Sequence, residues 1–141
     1  MIRAVLDANV FVSALIRPEG PPGRICVELV EHEAFALILS AAIVDEVRRT
    51  LDDPRVRRYV RLTSREVEAW LASVQSVAEL VEGQRSVSVV ANDPDDDKYF
   101  AAAVEGNADV VVSGDRHVLE VKEFERIRVL TPRAFLEKLR I

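Results

Sequence analysis

The sequence predicts an α/β fold, a three-layer arrangement in which a mostly parallel central sheet is covered by helices on both faces. Three observations carry the prediction. Short apolar runs over residues 2–6, 34–39 and 109–112 alternate with segments whose apolar residues recur at helical spacing. The runs are nearly continuous rather than alternating, as expected of strands buried on both sides. Hydrophobic residues make up 49% of the chain, enough for a core beneath helices. A length of 141 residues fits one ordinary domain, expected to span the whole chain.

In chain order, Ile2, Ala4, Val5 and Leu6 form a strand that ends at Asp7. Residues 10–16 are apolar and start a helix, and Arg17-Pro18-Glu19-Gly20-Pro21-Pro22-Gly23 is a loop by its prolines and glycines. A helix is predicted over 24–33, with Ile25 and Leu29 on its inner face, and a strand over 34–39. Ser40 is placed as the N-cap of a helix over 41–51, which Asp53-Pro54 stops. A short helix over 56–61 follows. A longer one runs from Ser64 to Leu80, with Val67, Leu71, Val74 and Val77 in one stripe. Residues 87–90 read as a strand, 92–97 as an acidic loop, and 97–105 as a helix closed by Gly106-Asn107. The run over 109–112 leads to Ser113-Gly114-Asp115, then a short helix and a strand over 128–130. Thr131-Pro132 supplies an N-cap and a first-turn proline for the last helix.

Cys26 is the only cysteine, which excludes an internal disulfide and a cysteine metal cluster; its apolar neighbours mark it as a small buried hydrophobe. The start of the chain does not resemble a secretory signal, and no apolar run approaches a membrane span, so a cytoplasmic location is expected. The net charge of −5 argues by itself against a polyanionic partner. Its distribution argues otherwise: Arg48, Arg49, Arg55, Arg57, Arg58, Arg61 and Arg65 gather in one stretch. Carboxylates devoted to cations would also make such a chain look acidic.

The acids are placed where an open parallel sheet binds ligands, outside the carboxyl ends of its strands. Asp7 ends the first strand, Asp115 follows the 109–112 strand, Asp97 opens a helix, and Glu46 lies in the helix after the second strand. Each has a plain structural reading as a cap, a turn former or a solvated helix residue. Their coincidence at one sheet edge does not. Close carboxylates repel, and hard cations with oxygen ligands, Mg²⁺ or Mn²⁺, resolve that repulsion.

Four segments, Leu6-Asp7-Ala8-Asn9-Val10, Val44-Asp45-Glu46-Val47, Asp93-Pro94-Asp95-Asp96-Asp97-Lys98-Tyr99 and Val112-Ser113-Gly114-Asp115-Arg116-His117, taken in this order, make the chain resemble the PIN-domain nucleases over essentially its full length. Within them it is similar to the toxin components of toxin–antitoxin pairs. The resemblance implies a Rossmann-like sheet and metal-dependent hydrolysis of RNA phosphodiesters. Carried over position by position, it assigns catalysis and metal binding to Asp7, Glu46, Asp97 and Asp115, and an orienting role behind them to Asn9 and Ser113. A one-residue slip would exchange Asp96 for Asp97; helical geometry favours Asp97, which leaves Phe100 or Ala101 to face the core.

His32 and His117 are expected to be structural, the second as a cap or local hydrogen-bond partner. Arg48, Arg55, Arg57 and Arg58 are expected to contact RNA. An antitoxin partner follows from the resemblance. A homodimer follows from it too, and from the apolar stripe with Trp70 on the 64–80 helix. A phosphotransferase of the haloacid-dehalogenase type would need Asp where the chain has Asn9, and a receiver domain would need paired acids at the first strand. A catalytically silent RNA- or partner-binding module of the same family stays open as the alternative.

Overall fold

The computed structural model describes residues 1–140. Its centre is a six-stranded sheet in the order β3-β2-β1-β4-β6-β5, formed by β1 (Arg3–Leu6), β2 (Ala36–Ser40), β3 (Glu79–Val81), β4 (Val110–Val112), β5 (Glu123–Phe124) and β6 (Ile127–Leu130). All neighbours run parallel except the hairpin β5–β6 at one edge. β4 is fully buried and β1 and β2 nearly so, because apolar side chains leave both of their faces.

The helices are α1 (Ala8–Ile16), α2 (Pro21–Val30), α3 (Ala41–Asp52), α4 (Pro54–Arg57), α5 (Ser64–Val77), α6 (Asp97–Glu105), α7 (Arg116–Leu119) and α8 (Pro132–Leu139). The chain steps one way across the sheet, β1 to β2 to β3, then returns past β1 to β4 and onward to β6. Right-handed crossovers therefore put α1 to α5 on one face and α6 on the other. The switch in direction falls between β1 and β4, and at such a point the loops leaving two neighbouring strands diverge and open a crevice.

Local chemistry sets most boundaries. Ser40 caps α3 through the Ile43 N–H, and Thr131 caps α8 through the Ala134 N–H. Thr63 and Glu66 form a capping box at α5. The prolines at 21 and 22 open α2 instead of lying in a loop, since a first-turn residue has no N–H bond to lose. After α6 the left-handed residue is Asn107, with φ 51°. Gly106 is required by packing: a Cβ there would come 2.5 Å from Ile38 Cγ2.

Two further predicted elements change. The helix from Ser64 ends at Val77, and Glu79–Val81 becomes the edge strand β3 beside β2. The strand expected over 87–90 does not form. Val89 and Val90 give their N–H groups to a side chain, Asp97, instead of to a neighbouring strand. The α5 stripe is spent inside the molecule, with Val67, Leu71 and Val74 buried in the core and Trp70 packed edge-on against Phe11 at 6.3 Å. Trp70 and Val77 stay only partly buried. No helix of the described residues is long and apolar enough to cross a membrane.

Candidate active site

β1 and β4 lie side by side, and the residues that leave their carboxyl ends are tied together. Asp7 caps α1: its Oδ1 accepts from the Asn9 N–H at 2.9 Å. Its Oδ2 accepts from the Ser113 hydroxyl at 2.6 Å. Ser113, fully buried, in turn accepts from the Asp115 N–H at 3.0 Å, and Asp115 caps α7 through the His117 N–H at 2.7 Å. The cap reading and the site reading of Asp7 and Asp115 thus coexist: capping uses one oxygen and fixes the direction of the other. Asn9 serves Asp7 through its backbone N–H. His117 likewise contributes its backbone; its imidazole Nδ1 is buried without a partner rather than acting as a cap.

A second set of contacts spans the sheet edge between α3 and α6. Tyr99, wholly buried, accepts the orphan N–H of Ala8 at the start of α1 and donates its hydroxyl to Glu46 Oε2. Lys98 Nζ donates to Glu46 Oε1 at 2.6 Å and to Asp95 Oδ2 at 3.0 Å. Burial holds the Tyr99 phenol far above its ordinary range, so it remains a donor. Burial works against the Lys98 ammonium, but the bonds to Glu46 and Asp95 outweigh it and raise its pKa. Sequence reasoning gave neither residue a role. The one trace was a lysine three residues after Asp95, the spacing at which helical side chains meet.

The structure places Asp96, not Asp97, among the carboxylates. Asp97 turns the other way and accepts from the Val89 and Val90 N–H groups at 3.0 and 2.8 Å, pinning the segment before α6. Asp96 is 8% exposed and its Oδ2 has no hydrogen-bond partner. It shares two triads, one with Glu46 and Asp95 and one with Asp93 and Asp115; in each, one oxygen per residue lies within 4.8 Å of the others. Burial first, then the charges of Asp93, Asp7, Asp115 and Glu46, push its carboxyl up to about 7. Burial also raises Asp7, against the Ser113, Asn9 and Tyr99 hydrogen bonds that lower it and with a further push from Glu46.

Such a set of hard oxygen donors around one buried, unpaired oxygen fits a Mg²⁺- or Mn²⁺-type ion. The four acids expected from the sequence are brought to one edge with one exchange, Asp96 for Asp97. Asp93 joins them, and Asp7 stands behind the triads.

The arginines are mostly committed locally. Arg48 pairs with Glu68 at 3.1 Å, and Arg55 with Asp53 at 2.9 Å. Arg57 donates to the carbonyls of Val60 and Leu62 and so holds the turn after α4. Arg58 stacks on Tyr59 at 4.8 Å. His32 is an exposed partner of Glu28. A cleft of about 550 Å³ lies away from the clustered acids, among Leu15, Val27, Val30, Leu62 and Trp70. Cys26 lines it, with its thiol pushed up to about 12 by burial, which removes any nucleophilic role at neutral pH.

Comparison with known proteins bears on the family and the fold. Residues 3–117 match a family model described as PIN domain. The chain is 29% identical to an uncharacterised protein of Methanocaldococcus jannaschii, over 97% of this chain and 91% of the other. Its fold is similar to that of a chain in the crystal structure of VapBC2 from Rickettsia felis bound to a DNA fragment from their promoter. That similarity has a TM-score of 0.56 at 12% identity and covers 92% of this chain and 98% of that one.

Proposed function

The chain belongs to the PIN domain family, and from that premise we propose that it is a divalent-metal-dependent endoribonuclease, the toxin of a toxin–antitoxin pair. The observation that carries the proposal is the convergence of Asp96, Asp115, Asp93 and Glu46, backed by Asp7, at the point where the sheet reverses direction. The fold-level likeness to a chain of a VapBC2 complex supports the pairing with an antitoxin.

Asp93, Asp96 and Asp115 would hold a cation, with Asp7 and Glu46 beside them. When bound, such an ion neutralises phosphate charge and makes water nucleophilic near neutral pH. The chain's own residues prepare the site. Ser113 fixes one Asp7 oxygen, the His117 N–H fixes one Asp115 oxygen, and the Tyr99 hydroxyl fixes Glu46. Asp96 Oδ2 is buried with no donor nearby, so a bound cation would supply the compensation that no group of the chain gives it. Arg48, Arg55 and Arg58, exposed at the surface, would guide the RNA backbone, while Arg57 holds the turn after α4.

Purified protein is expected to cut single-stranded RNA with Mg²⁺ or Mn²⁺ and to stop in EDTA. Intact RNA in every metal tested would favour the catalytically silent module. A homodimer rests on the family resemblance alone. Sedimentation of the same preparation at micromolar concentration is expected to show twice the 15.8 kDa chain mass, and a species at that mass alone would remove the dimer.

A further inference from the structure

The charge around Asp96 bears on how many cations the site takes, an inference that rests on the metal-dependent reading above. The two triads that share Asp96 are filled differently. On the Glu46–Asp95 side, Lys98 Nζ, on a side chain only 13% exposed, lies 2.6 Å from Glu46 and 3.0 Å from Asp95. The Tyr99 hydroxyl takes the other Glu46 oxygen. Both oxygens of Glu46 are therefore engaged, and a full positive charge already sits between two of the three carboxylates.

The Asp93–Asp115 side has nothing comparable. Among the described residues no lysine or arginine pairs with Asp93, Asp96 or Asp115. Asp115 receives a single backbone N–H, and Asp96 Oδ2 is buried with no partner at all. An uncompensated buried oxygen is costly, and of the two sides that share Asp96 only the Asp93–Asp115 side has no cationic side chain of its own.

We propose that the site takes one divalent cation, held by Asp93, Asp96 and Asp115, and that the Lys98 ammonium fills the place a second cation would need between Glu46 and Asp95. A divalent ion entering that place would meet a like charge a few ångströms away, in a partly buried setting where repulsion is weakly screened. A tethered ammonium also gives up less on entering than Mg²⁺, which sheds its water reluctantly. Lys98 is thus a positioning residue: it holds Glu46 and Asp95 and fixes the metal count.

The test counts Mn²⁺ per chain by calorimetric titration and by the electron-spin signal of free ion. Wild type and Lys98→Arg are expected to bind one ion, and Lys98→Met two. Asp93→Asn is expected to weaken the single site at least tenfold. Two ions on wild type, or one on a folded Lys98→Met, overturns the proposal. If Lys98→Met does not fold, Lys98→Gln, which keeps a donor toward Glu46, takes its place under the same criterion. Wild type that binds no Mn²⁺ overturns this inference together with the metal site. Wild type that binds one ion but cuts no RNA fails only the nuclease reading.

Discussion

Asp7→Asn is expected to slow RNA cleavage at least a hundredfold while leaving the melting temperature in EDTA close to that of wild type. Asn caps a helix as well as Asp does, so the bond to the Asn9 N–H survives. What disappears is one negative charge behind the triads, at a carboxyl whose ionised form burial already disfavours. Loss of charge stabilisation made mainly in the transition state costs about 3 kcal/mol, roughly a hundredfold in rate. Single-turnover cleavage in Mg²⁺ and melting in EDTA measure the two halves separately. Retained activity with a lowered melting temperature would mean that Asp7 is a cap and no more.

Asp96→Asn is expected to stabilise the metal-free protein, and only at higher pH. The folded-state carboxyl sits at about 7 against an ordinary 3.8. A raised acid pKa means that the folded state binds the proton more tightly than the unfolded state. Wild type therefore loses nothing below about pH 4, loses stability progressively as pH rises toward 7, and carries the full deficit above it. The deficit is at most about 4 kcal/mol, from 1.36 kcal/mol per pH unit of difference. The variant escapes it, so its melting temperature should exceed that of wild type at pH 8, with the gap closing toward pH 4.

Mg²⁺ should raise the wild-type value and leave the variant's nearly unmoved, because a ligand stabilises only the state that binds it. Asp97→Ala should do the opposite. It removes the acceptor of the Val89 and Val90 N–H groups, lowers stability by about 1–3 kcal/mol and leaves the response to Mg²⁺ intact. Identical behaviour of the two variants would refute the separation of roles between these neighbours.

Much of the molecule was legible because it depends on local chemistry. Nearly unbroken apolar runs marked β1, β2 and β4, and Ser40 and Thr131 marked their helix starts by the N–H groups they accept. With the strands placed, the rule that ligands gather at the carboxyl ends brought Asp7, Glu46 and Asp115 to one edge. The sequence also carried the PIN family, through motifs whose order and spacing survive without any contact being known.

Tertiary structure decided the rest, wherever two local readings were equally good. Asp96 and Asp97 are adjacent at a helix start, about 100° apart in direction, and the Val89 and Val90 N–H groups, which no strand takes up, engage Asp97 and leave Asp96 among the acids. Val87 to Val90 alternate like a strand, but a strand needs a neighbour, and the place beside β2 went to Glu79–Val81. Trp70 reads from the sequence as an interface residue, and the fold gives part of its ring to Phe11. Lys98 and Tyr99 read as helix formers, since their partner, Glu46, is more than fifty residues away in sequence. A sequence fixes what each residue can donate, accept or bury; which of those capacities is used depends on what the fold brings within about 3 Å of it.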